Sequence, residues 1–374
     1  MKTINVGIIG GGLMGKEVAS ALGRWFVLND YPLKVVLKAV CDINKEALKW
    51  YEQIPTIDLL TTDYKALLDS SNVDVVYVAL PHHLHEEYYL KVLEAGKDLF
   101  AEKPFGINLE AAKIIKNKID ESGRFVRCSS EMPFFPGGQR VIKEILSGRL
   151  GKVIEVKAGF CHSSDMDPFK PINWKRQSKF CGDIGVMGDL GMHVMHIPLR
   201  MGWKPDRVYA QLQKIVTKRP DGKGGWSECD TWNNAHLSST ISIEGEEVPM
   251  LLEMKRLAPG ETNSWFIEVF GTEGGVRYST KDTKVLWTFN REKEQIWQRI
   301  DLGFQVPFPT ITGGIFEPGF PDCFMQMLAA YFAEREGFLE GRLGCVTPEE
   351  AVMSHQVFDA ALKSHQSKSA IVIP

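Results

Sequence analysis

The feature that most limits how this chain can fold is a glycine turn that follows a β-branched strand at the start of the sequence. The pattern at 4–9 predicts a strand, and glycines stand at positions 10, 12 and 15 directly after it. In this spacing Gly10 permits a tight turn, Gly12 lets backbone approach a pyrophosphate, and Gly15 lets the next helix pack against the strand. A plain glycine turn is the alternative, but the order of strand, turn and helix predicts a dinucleotide-binding β-α-β unit.

The helix predicted over 13–25 begins within this turn. Its first backbone N–H groups, on Leu13 and Met14, have no carbonyl partner inside the helix, and the helix dipole favours negative charge at that end. We therefore expect Leu13 and Met14 to lie beside the phosphates of a bound dinucleotide.

An acidic residue, Asp42, stands at the end of the second predicted strand, where a dinucleotide-binding unit carries a carboxylate for the ribose. The segment 33–42 predicts a second strand that ends in Asp42. A carboxylate there accepts hydrogen bonds from the adenosine ribose and repels a 2′-phosphate. Because Ile43 and Asn44 follow, with no basic residue, we expect NAD rather than NADP. The alternative is that Asp42 caps the helix predicted over 45–53.

Chain length and the order of predicted elements indicate two domains. A chain of 374 residues exceeds the usual size of a single hydrophobic core. Strands alternate with helices through 1–128, which is typical of a doubly wound parallel sheet, so this part is expected to be a Rossmann domain. Strands dominate 129–374 and predict an α+β domain with a large, mostly antiparallel open sheet. The polar segment 218–234 predicts a long loop, and the last predicted helix (348–364) is free to pack back on the first domain.

Composition argues against several classes of partner and compartment. The formal net charge is −3, which provides no positive surface for nucleic acid or an anionic membrane. No apolar run reaches membrane-spanning length, and the first strand begins too early for a signal peptide to precede it. The seven cysteines are scattered without a Cys-x-x-Cys pair, which favours reduced thiols in a cytoplasmic protein.

Chemically useful side chains follow two of the predicted parallel strands. One strand ends in the segment 80–85 (Leu-Pro-His-His-Leu-His), and another ends in Glu102, Lys103 and Pro104. Ligands of open α/β sheets bind at the carboxyl ends of strands, so Lys103 is a candidate donor to a substrate hydroxyl. A solvated surface lysine is the alternative. The three histidines of 80–85 are too close in sequence to bind zinc without an unusual backbone, and we expect no metal.

A second cluster lies in the glycine-rich segment 182–193. Asp189 and His193 are four residues apart, so on a helix they project from one face. A carboxylate beside an imidazole can orient the ring and stabilise its charged form, which suits a proton acceptor. A helix cap and a buried structural histidine are the alternatives.

The order and spacing of these motifs resemble those of the Gfo/Idh/MocA oxidoreductases, which include glucose–fructose oxidoreductase and the inositol dehydrogenases. The likeness covers nearly the whole chain. It implies that Lys103 is the active-site lysine, that His193 is the proton acceptor or donor, and that Asp189 positions substrate and histidine. It also implies that several residues contact the nicotinamide end of the cofactor: Pro81, His82, His85, Glu102 and Lys103. Trp174 and Arg176 match a substrate- or cofactor-side element, and His162 is expected to line the substrate pocket.

The resemblance implies reversible hydride transfer between a nicotinamide cofactor and a hydroxyl carbon of a sugar, polyol or sugar derivative. His193 would take the hydroxyl proton while Lys103 stabilises the alkoxide. Two alternatives are an NAD-dependent glycosidase that acts by transient oxidation and elimination, and a non-catalytic NAD(H)-binding regulatory protein. Relatives commonly pair through the open sheet, so a homodimer or homotetramer is expected.

Overall fold

The structure is a computed structural model that describes residues 1–293 and 295–374. Its strands are β1 (Lys2–Ile9), β2 (Leu33–Cys41), β3 (Leu59–Thr61), β4 (Val75–Val78), β5 (Asp98–Ala101), β6 (Val126–Cys128), β7 (Val153–Cys161), β8 (Pro205–Gln213), β9 (Lys218–Pro220), β10 (Trp226–Glu228), β11 (Asn234–Ile243), β12 (Glu246–Lys255), β13 (Ser264–Gly271), β14 (Gly274–Ser279), β15 (Val285–Asn290), β16 (Gln298–Asp301) and β17 (Ile371–Val372). Its α-helices are α1 (Leu13–Gly23), α2 (Lys45–Lys49), α3 (Tyr64–Leu68), α4 (His85–Glu94), α5 (Leu109–Ser122), α6 (Pro136–Leu146), α7 (Ser178–Cys181), α8 (Val186–Arg200), α9 (Phe320–Arg335) and α10 (Pro348–Ser367).

The chain forms two compact units. Unit 1 comprises 1–106, 110–134 and 304–349, and unit 2 comprises 107–109, 135–303 and 350–374. The sequence places the boundary between 128 and 129 and assigns everything beyond it to the second domain. The structure instead groups 304–349 with the N-terminal part, and it groups most of α10 with unit 2.

The sheet of unit 1 has the strand order β3-β2-β1-β4-β5-β6, and its neighbouring strands pair in parallel. All four residues of β4 are buried, as expected for a strand covered on both faces. The change of direction in strand order falls between β1 and β4. The carboxyl ends of these strands therefore form the crevice where ligands of such sheets bind. The expected doubly wound sheet is confirmed.

Helix α9 explains why unit 1 extends so far along the chain. It packs against α1, and its residues from Cys323 to Ala333 are buried. The Tyr31 hydroxyl donates to the carbonyl of Ala329 at 2.6 Å. Arg335 forms an ion pair with Asp98 of β5 at 2.7 Å. An apolar helix buried on the first sheet's helices belongs to that core, although it lies far away in sequence.

The large sheet of unit 2 has the strand order β16-β15-β14-β13-β7-β12-β11-β8-β17. Strands β7 and β12 pair in parallel and the other neighbours are antiparallel, so the sheet is mixed and largely antiparallel. Buried and exposed residues alternate along β8, which is the pattern of a strand with one covered face. Helices α6 and α8 pack on this sheet.

The segment 218–234 is not simply a long loop. Within it β9 and β10 form an antiparallel hairpin. The side chain of Asp221 accepts hydrogen bonds from the N–H groups of Lys223 at 2.7 Å and Gly225 at 2.9 Å, which closes the turn. The polar, glycine-rich composition reflects the exposure of a two-stranded hairpin rather than the absence of strands.

Candidate active site

The glycine turn between β1 and α1 is closely packed on one side and open on the other. Gly10 has φ of 107°, and a Cβ atom there would lie 2.2 Å from the carbonyl oxygen of Ala79. A Cβ at Gly15 would lie 2.2 Å from the carbonyl oxygen of Gly10. At Gly12 no other side chain or distant backbone atom of the described residues lies within 4 Å of that position. Only glycine fits the first and third positions, and the open side at Gly12 leaves room for a phosphate group.

Helix α1 begins at Leu13 without a side-chain cap, because its N-cap residue is Gly12. Leu13 is 74% exposed and Met14 is partly exposed. The first N–H groups of the helix are therefore left for an anion, and these residues fit the pyrophosphate of a dinucleotide.

Asp42 follows β2 and is fixed beside the glycine turn. Its Oδ2 accepts a hydrogen bond from the N–H of Gly11 at 2.7 Å, and its Oδ1 accepts one from the N–H of Asn44 at 2.7 Å. The cap of α2 is Asn44, whose side chain accepts from Glu46 N–H, so the alternative role of Asp42 as helix cap is wrong. A carboxylate has about four acceptor positions, so Asp42 keeps capacity for ribose hydroxyls.

Tyr51 is a residue of this region that sequence reasoning missed. Its ring lies 3.2 Å from the position of a Cβ at Gly11, and its hydroxyl lies 2.9 Å from that of a Cβ at Gly15. The hydroxyl is buried and has no hydrogen-bond partner within residues 1–293 and 295–374. Burial, and then the charge of Asp42, raise the pKa of Tyr51, so the group stays a neutral donor. An aromatic residue nine positions after the acidic residue, next to Trp50, was the available signal.

Lys103 follows β5 and is partly buried. Its N–H donates to Oε2 of Glu102 at 3.2 Å. Oε1 of Glu102 accepts from the Tyr77 hydroxyl at 2.5 Å and from the Ser129 hydroxyl at 2.8 Å. Glu102 is 6% exposed and both of its oxygens bind protein groups, so its carboxylate holds the Lys103 backbone. Its expected contact with the cofactor stays a prediction.

The segment Pro81 to His85 leads from β4 into α4. Pro81 is partly exposed, and His82 begins a 3-10 turn and is 3% exposed. His85 is fully buried, with Nδ1 2.7 Å from the carbonyl oxygen of Pro104 and Nε2 2.9 Å from that of Leu80. Both ring nitrogens of His85 thus face backbone carbonyls, and its expected contact with the cofactor stays a prediction.

In unit 2, Asp189 and His193 both lie on α8, and both are buried. Oδ1 of Asp189 lies 2.8 Å from Nζ of Lys175. Its Oδ2 accepts from Nε of Arg256 at 3.2 Å and from Nη2 at 3.1 Å. Arg256, which follows β12 and is 1% exposed, is the second residue that sequence reasoning missed. A basic residue near the end of the strand predicted over 249–257 was the signal for it.

The imidazoles of His193 and His162 both pack on Phe160, near the end of β7. The Phe160 ring is 5.4 Å from that of His193, edge to face, and 4.7 Å from that of His162. The carbonyl of His193 accepts from Nε1 of Trp265 at 2.9 Å. Two sequence-predicted residues that lie far apart in the chain therefore share one aromatic neighbour.

The guanidinium of Arg176 is paired with the carboxylate of Asp165. Its Nε and Nη2 donate to Oδ1 of Asp165 at 3.0 and 2.6 Å, and both side chains are buried. Burial, and then the charge of Arg256, lower the pKa of Arg176. The guanidinium thus fixes the loop after β7 through Asp165, and the expected substrate- or cofactor-side role of Arg176 stays a prediction. Trp174 is partly exposed, and Nζ of Lys175 lies 5.7 Å from its ring centre.

Two further observations concern residues 1–293 and 295–374. No group of three or more His, Cys, Asp or Glu side chains there is arranged to hold a metal ion. Among the same residues, no helix combines the length and the apolar character needed to cross a membrane.

Comparison with known families decides the relationship. The family model described as an oxidoreductase family with an NAD-binding Rossmann fold, Gfo/Idh/MocA, matches residues 4–129. The model of the Gfo/Idh/MocA C-terminal domain matches 139–277. The chain belongs to the Gfo/Idh/MocA oxidoreductase family. The resemblance stated from the sequence is confirmed, and so is NAD as the cofactor.

Among the relatives of this Gfo/Idh/MocA protein is levoglucosan dehydrogenase of Pseudarthrobacter phenanthrenivorans. It is 25% identical over 290 residues, which cover 75% of this chain and 74% of that protein. A solved structure of levoglucosan dehydrogenase with NADH and L-sorbose matches with a TM-score of 0.88 at 23% identity, and all of both chains is covered. An inositol dehydrogenase homologue complexed with NAD+ from Azotobacter vinelandii matches with a TM-score of 0.83 at 19% identity, over 99% of this chain and 97% of that one. The structural matches show a common fold.

Proposed function

We propose that this protein oxidises a hydroxyl-bearing carbon of a sugar, a polyol or a sugar derivative, with NAD as the electron acceptor. The observation that carries the proposal is the pair Asp189 and His193 on α8, with the carboxylate held by Lys175 and Arg256. A protein that only sensed NAD(H) would have no use for a buried imidazole and carboxylate on one helix. The name of the relative levoglucosan dehydrogenase supports a carbohydrate as the class of substrate.

Each chemical role in the proposal falls to one side chain. His193 takes the proton of the substrate hydroxyl, and Asp189 orients the substrate and the imidazole. The ammonium group of Lys103 stabilises the alkoxide that develops on the same oxygen, a contribution of about 3 kcal/mol for a well-placed donor. Bound NAD+ supplies the redox chemistry by accepting a hydride from the carbon. The glycine turn, Leu13, Met14 and Asp42 hold the nucleotide.

Replacement of Lys103 tests these roles. Lys103→Met removes the charge and keeps the length of the side chain, so NADH formation with a panel of sugars and polyols should fall by about a hundredfold or more. The matched control is Lys113→Met, because Lys113 is exposed on α5. NADH binding, followed by fluorescence, should remain. Undiminished turnover by the Lys103 variant would remove the lysine from the mechanism.

The same assay separates this proposal from the two alternatives. A dehydrogenase releases oxidised sugar and NADH in equal amounts. Release of a sugar from a glycoside without net NADH would indicate cleavage by transient oxidation. Tight NADH binding with no turnover of any member of the panel would indicate a regulatory protein.

The choice of nucleotide is tested through Asp42. Its carboxylate would repel the 2′-phosphate of NADPH, so the chain should bind NADH more tightly than NADPH. Asp42→Ala removes that repulsion and also the hydrogen bond to Gly11. We expect its NADH affinity to fall by about tenfold, the effect of one charge-assisted hydrogen bond, and its preference over NADPH to shrink. An unchanged preference in a fluorescence titration would contradict this role.

We also propose a homodimer or homotetramer formed through the open face of the unit 2 sheet. A cavity of about 590 Å³ lies on strands of that sheet, and Phe266, Trp287, Glu268 and Arg277 contribute to its lining. An apolar centre with charged surroundings is the usual composition of a subunit interface. Light scattering should give at least twice the chain mass, and Phe266→Glu should lower it. A monomer at micromolar concentration would contradict the proposal.

The cysteines support a reducing compartment, which we infer to be the cytoplasm. All seven thiols are buried, and no disulfide joins any two of them in the part of the chain that the structure describes. Burial raises the pKa of Cys41 to about 11, so its thiol stays protonated and unreactive. Titration with a thiol reagent should find seven reduced thiols in denatured protein purified without reductant; oxidised thiols would contradict the inference.

A further inference from the structure

The backbone around Lys103 is held from helix α4 by two side chains, His85 and Tyr89. They are four residues apart, so they project from the same face of the helix. Their rings stack at 5.0 Å between centres with an interplanar angle of 25°. Both side chains are 0% exposed, so neither is in a position to contact a substrate or a cofactor from solvent.

Each of these side chains reaches one of the two carbonyl groups that flank Lys103. The Tyr89 hydroxyl donates to the carbonyl of Glu102 at 2.8 Å. Nδ1 of His85 lies 2.7 Å from the carbonyl oxygen of Pro104. Nε2 of the same ring lies 2.9 Å from the carbonyl of Leu80, in the segment that follows β4. The helix thus connects the residue before Lys103, the residue after it and the end of a neighbouring strand.

We propose that His85 and Tyr89 are positioning residues for Lys103: they hold the two carbonyl groups that flank it and so fix where its amine can reach. This inference rests on the proposed function, because it assumes that Lys103 carries a catalytic role. A preorganised donor stabilises a developing charge without first having to reorient, so a loosened backbone at Lys103 lowers turnover.

A neutral imidazole carries one N–H, so His85 donates to one of its two carbonyl neighbours; the proposed positioning uses the tautomer with the hydrogen on Nδ1, which donates to the carbonyl of Pro104. Burial lowers the pKa of the imidazole, while the two carbonyl contacts and the charge of Glu102 oppose that effect and the charge of Lys103 adds to it. The other titratable neighbours are His82, whose ring lies 5.5 Å away, and Tyr89, whose pKa burial raises. Tyr89 therefore stays a hydroxyl donor, and its stacked ring fixes the plane of the imidazole.

A double-mutant cycle tests the proposal. Tyr89→Phe removes one hydroxyl and keeps the ring, and a small displacement of a catalytic group lowers turnover by about tenfold or more. We expect that loss in kcat, with the dissociation constant of NADH within about twofold of the parent value because the nucleotide site is untouched. In the Lys103→Met background, Tyr89→Phe should change kcat by less than about twofold, because the residue that it positions is gone.

The matched control is Tyr88→Phe on the same helix. Tyr88 packs on the ring of Tyr64 instead, at 5.2 Å, so this change should leave kcat unaltered. His85→Gln keeps an N–H donor for the carbonyl of Pro104 and should retain more turnover than His85→Met. This rescue by a conservative residue covers the case in which Tyr89→Phe folds poorly, which thermal unfolding would reveal.

The outcomes separate the two proposals. If Lys103→Met is inactive and Tyr89→Phe has the parent kcat, the positioning role is wrong and the proposed function stands. Equal losses in kcat from Tyr89→Phe in both backgrounds mean that the hydroxyl does not act through Lys103, which also overturns the positioning role. If Lys103→Met keeps full turnover, the proposed function fails first.

Discussion

Lys103 in unit 1 and Asp189 in unit 2 are held by different kinds of interaction. Around Lys103, the hydroxyls of Tyr77 and Ser129 bind the Glu102 carboxylate, which in turn accepts the Lys103 N–H. Around Asp189, the partners are the charged groups of Lys175 and Arg256. The first arrangement fixes backbone through neutral donors, whereas the second fixes a carboxylate through two cations.

The difference predicts how much stability each region loses when one donor is removed, and how each region responds to pH. Removal of one hydroxyl donor leaves the Glu102 carboxylate with its other donors, so the loss in stability is modest. Removal of a buried cation leaves a charge that is incompletely compensated, which costs more. The two regions also differ in pH response, because a phenol loses its proton in alkali while a guanidinium keeps its charge.

The largest expected effect is that of Arg256→Leu. Arg256 is 1% exposed and donates twice to Oδ2 of Asp189, so its loss removes a buried cation from a buried carboxylate. We expect a loss of about 3 kcal/mol in the free energy of unfolding, measured in urea. Lys175→Met should cost about 1 kcal/mol or less, because that lysine side chain is 34% exposed and its ion pair is screened by solvent. Equal losses from the two variants would show that burial does not set the strength of the two pairs.

An intermediate effect is expected from Tyr77→Phe, and its sign depends on pH. Burial, and then the charge of Glu102, raise the pKa of Tyr77 well above its ordinary value. Above about pH 10 the unfolded chain loses this proton while the folded chain keeps it, so the free energy of unfolding falls as pH rises. Each such group contributes about 1.4 kcal/mol per pH unit.

The measurement is urea unfolding from about pH 8 to about pH 11, a range that brackets the ordinary phenol pKa of about 10. Tyr77→Phe should be less stable than the parent at neutral pH, by about 2 kcal/mol for a buried hydrogen bond to a charged group, and should lose less stability in alkali. Tyr209→Phe is the control, because that side chain is 38% exposed. Parallel pH profiles for the parent and Tyr77→Phe would exclude Tyr77 as a source of alkaline instability.

The sequence predicted the first region better than the second because the glycine turn and the strand-end residues are local signals. Gly10, Asp42 and Lys103 each stand at the end of a predicted strand, and short-range backbone geometry determines what such positions face. Arg256 contacts Asp189 across 67 residues of sequence, and that contact depends on the packing of α8 against β12, which no local pattern reveals. The sequence also singles out His85, but spacing alone does not reveal that its ring nitrogens lie beside the backbone carbonyls of Pro104 and Leu80.

Helix α6 shows that local sequence patterns also miss elements of the fold that depend on distant contacts. It begins Pro136-Gly137-Gly138, a local pattern that favours a turn, and the sequence analysis predicted no helix there. Proline is tolerated in the first turn of a helix. A Cβ at Gly137 would lie 1.9 Å from the ring of Tyr278 on β14, so the glycine is explained by close packing against the sheet. Because Tyr278 is far from Gly137 in sequence, the local pattern shows the glycine only as a residue that disfavours a helix.

The smallest effect, and the one that best sharpens the comparison, is expected from Ser129→Ala. Ser129 is 1% exposed and supplies one of the two hydroxyl donors to Oε1 of Glu102, so its removal leaves the Tyr77 donor in place. We expect a loss of about 1.5 kcal/mol in urea unfolding, the low end for a hydrogen bond to a charged group. The exposed Ser20→Ala on α1 serves as the control. In combination with Tyr77→Phe the loss should exceed the sum of the two single losses, because the double variant leaves Oε1 without either hydroxyl donor. A simple sum would mean that the two hydroxyls act independently, and that the region around Lys103 is not a connected network.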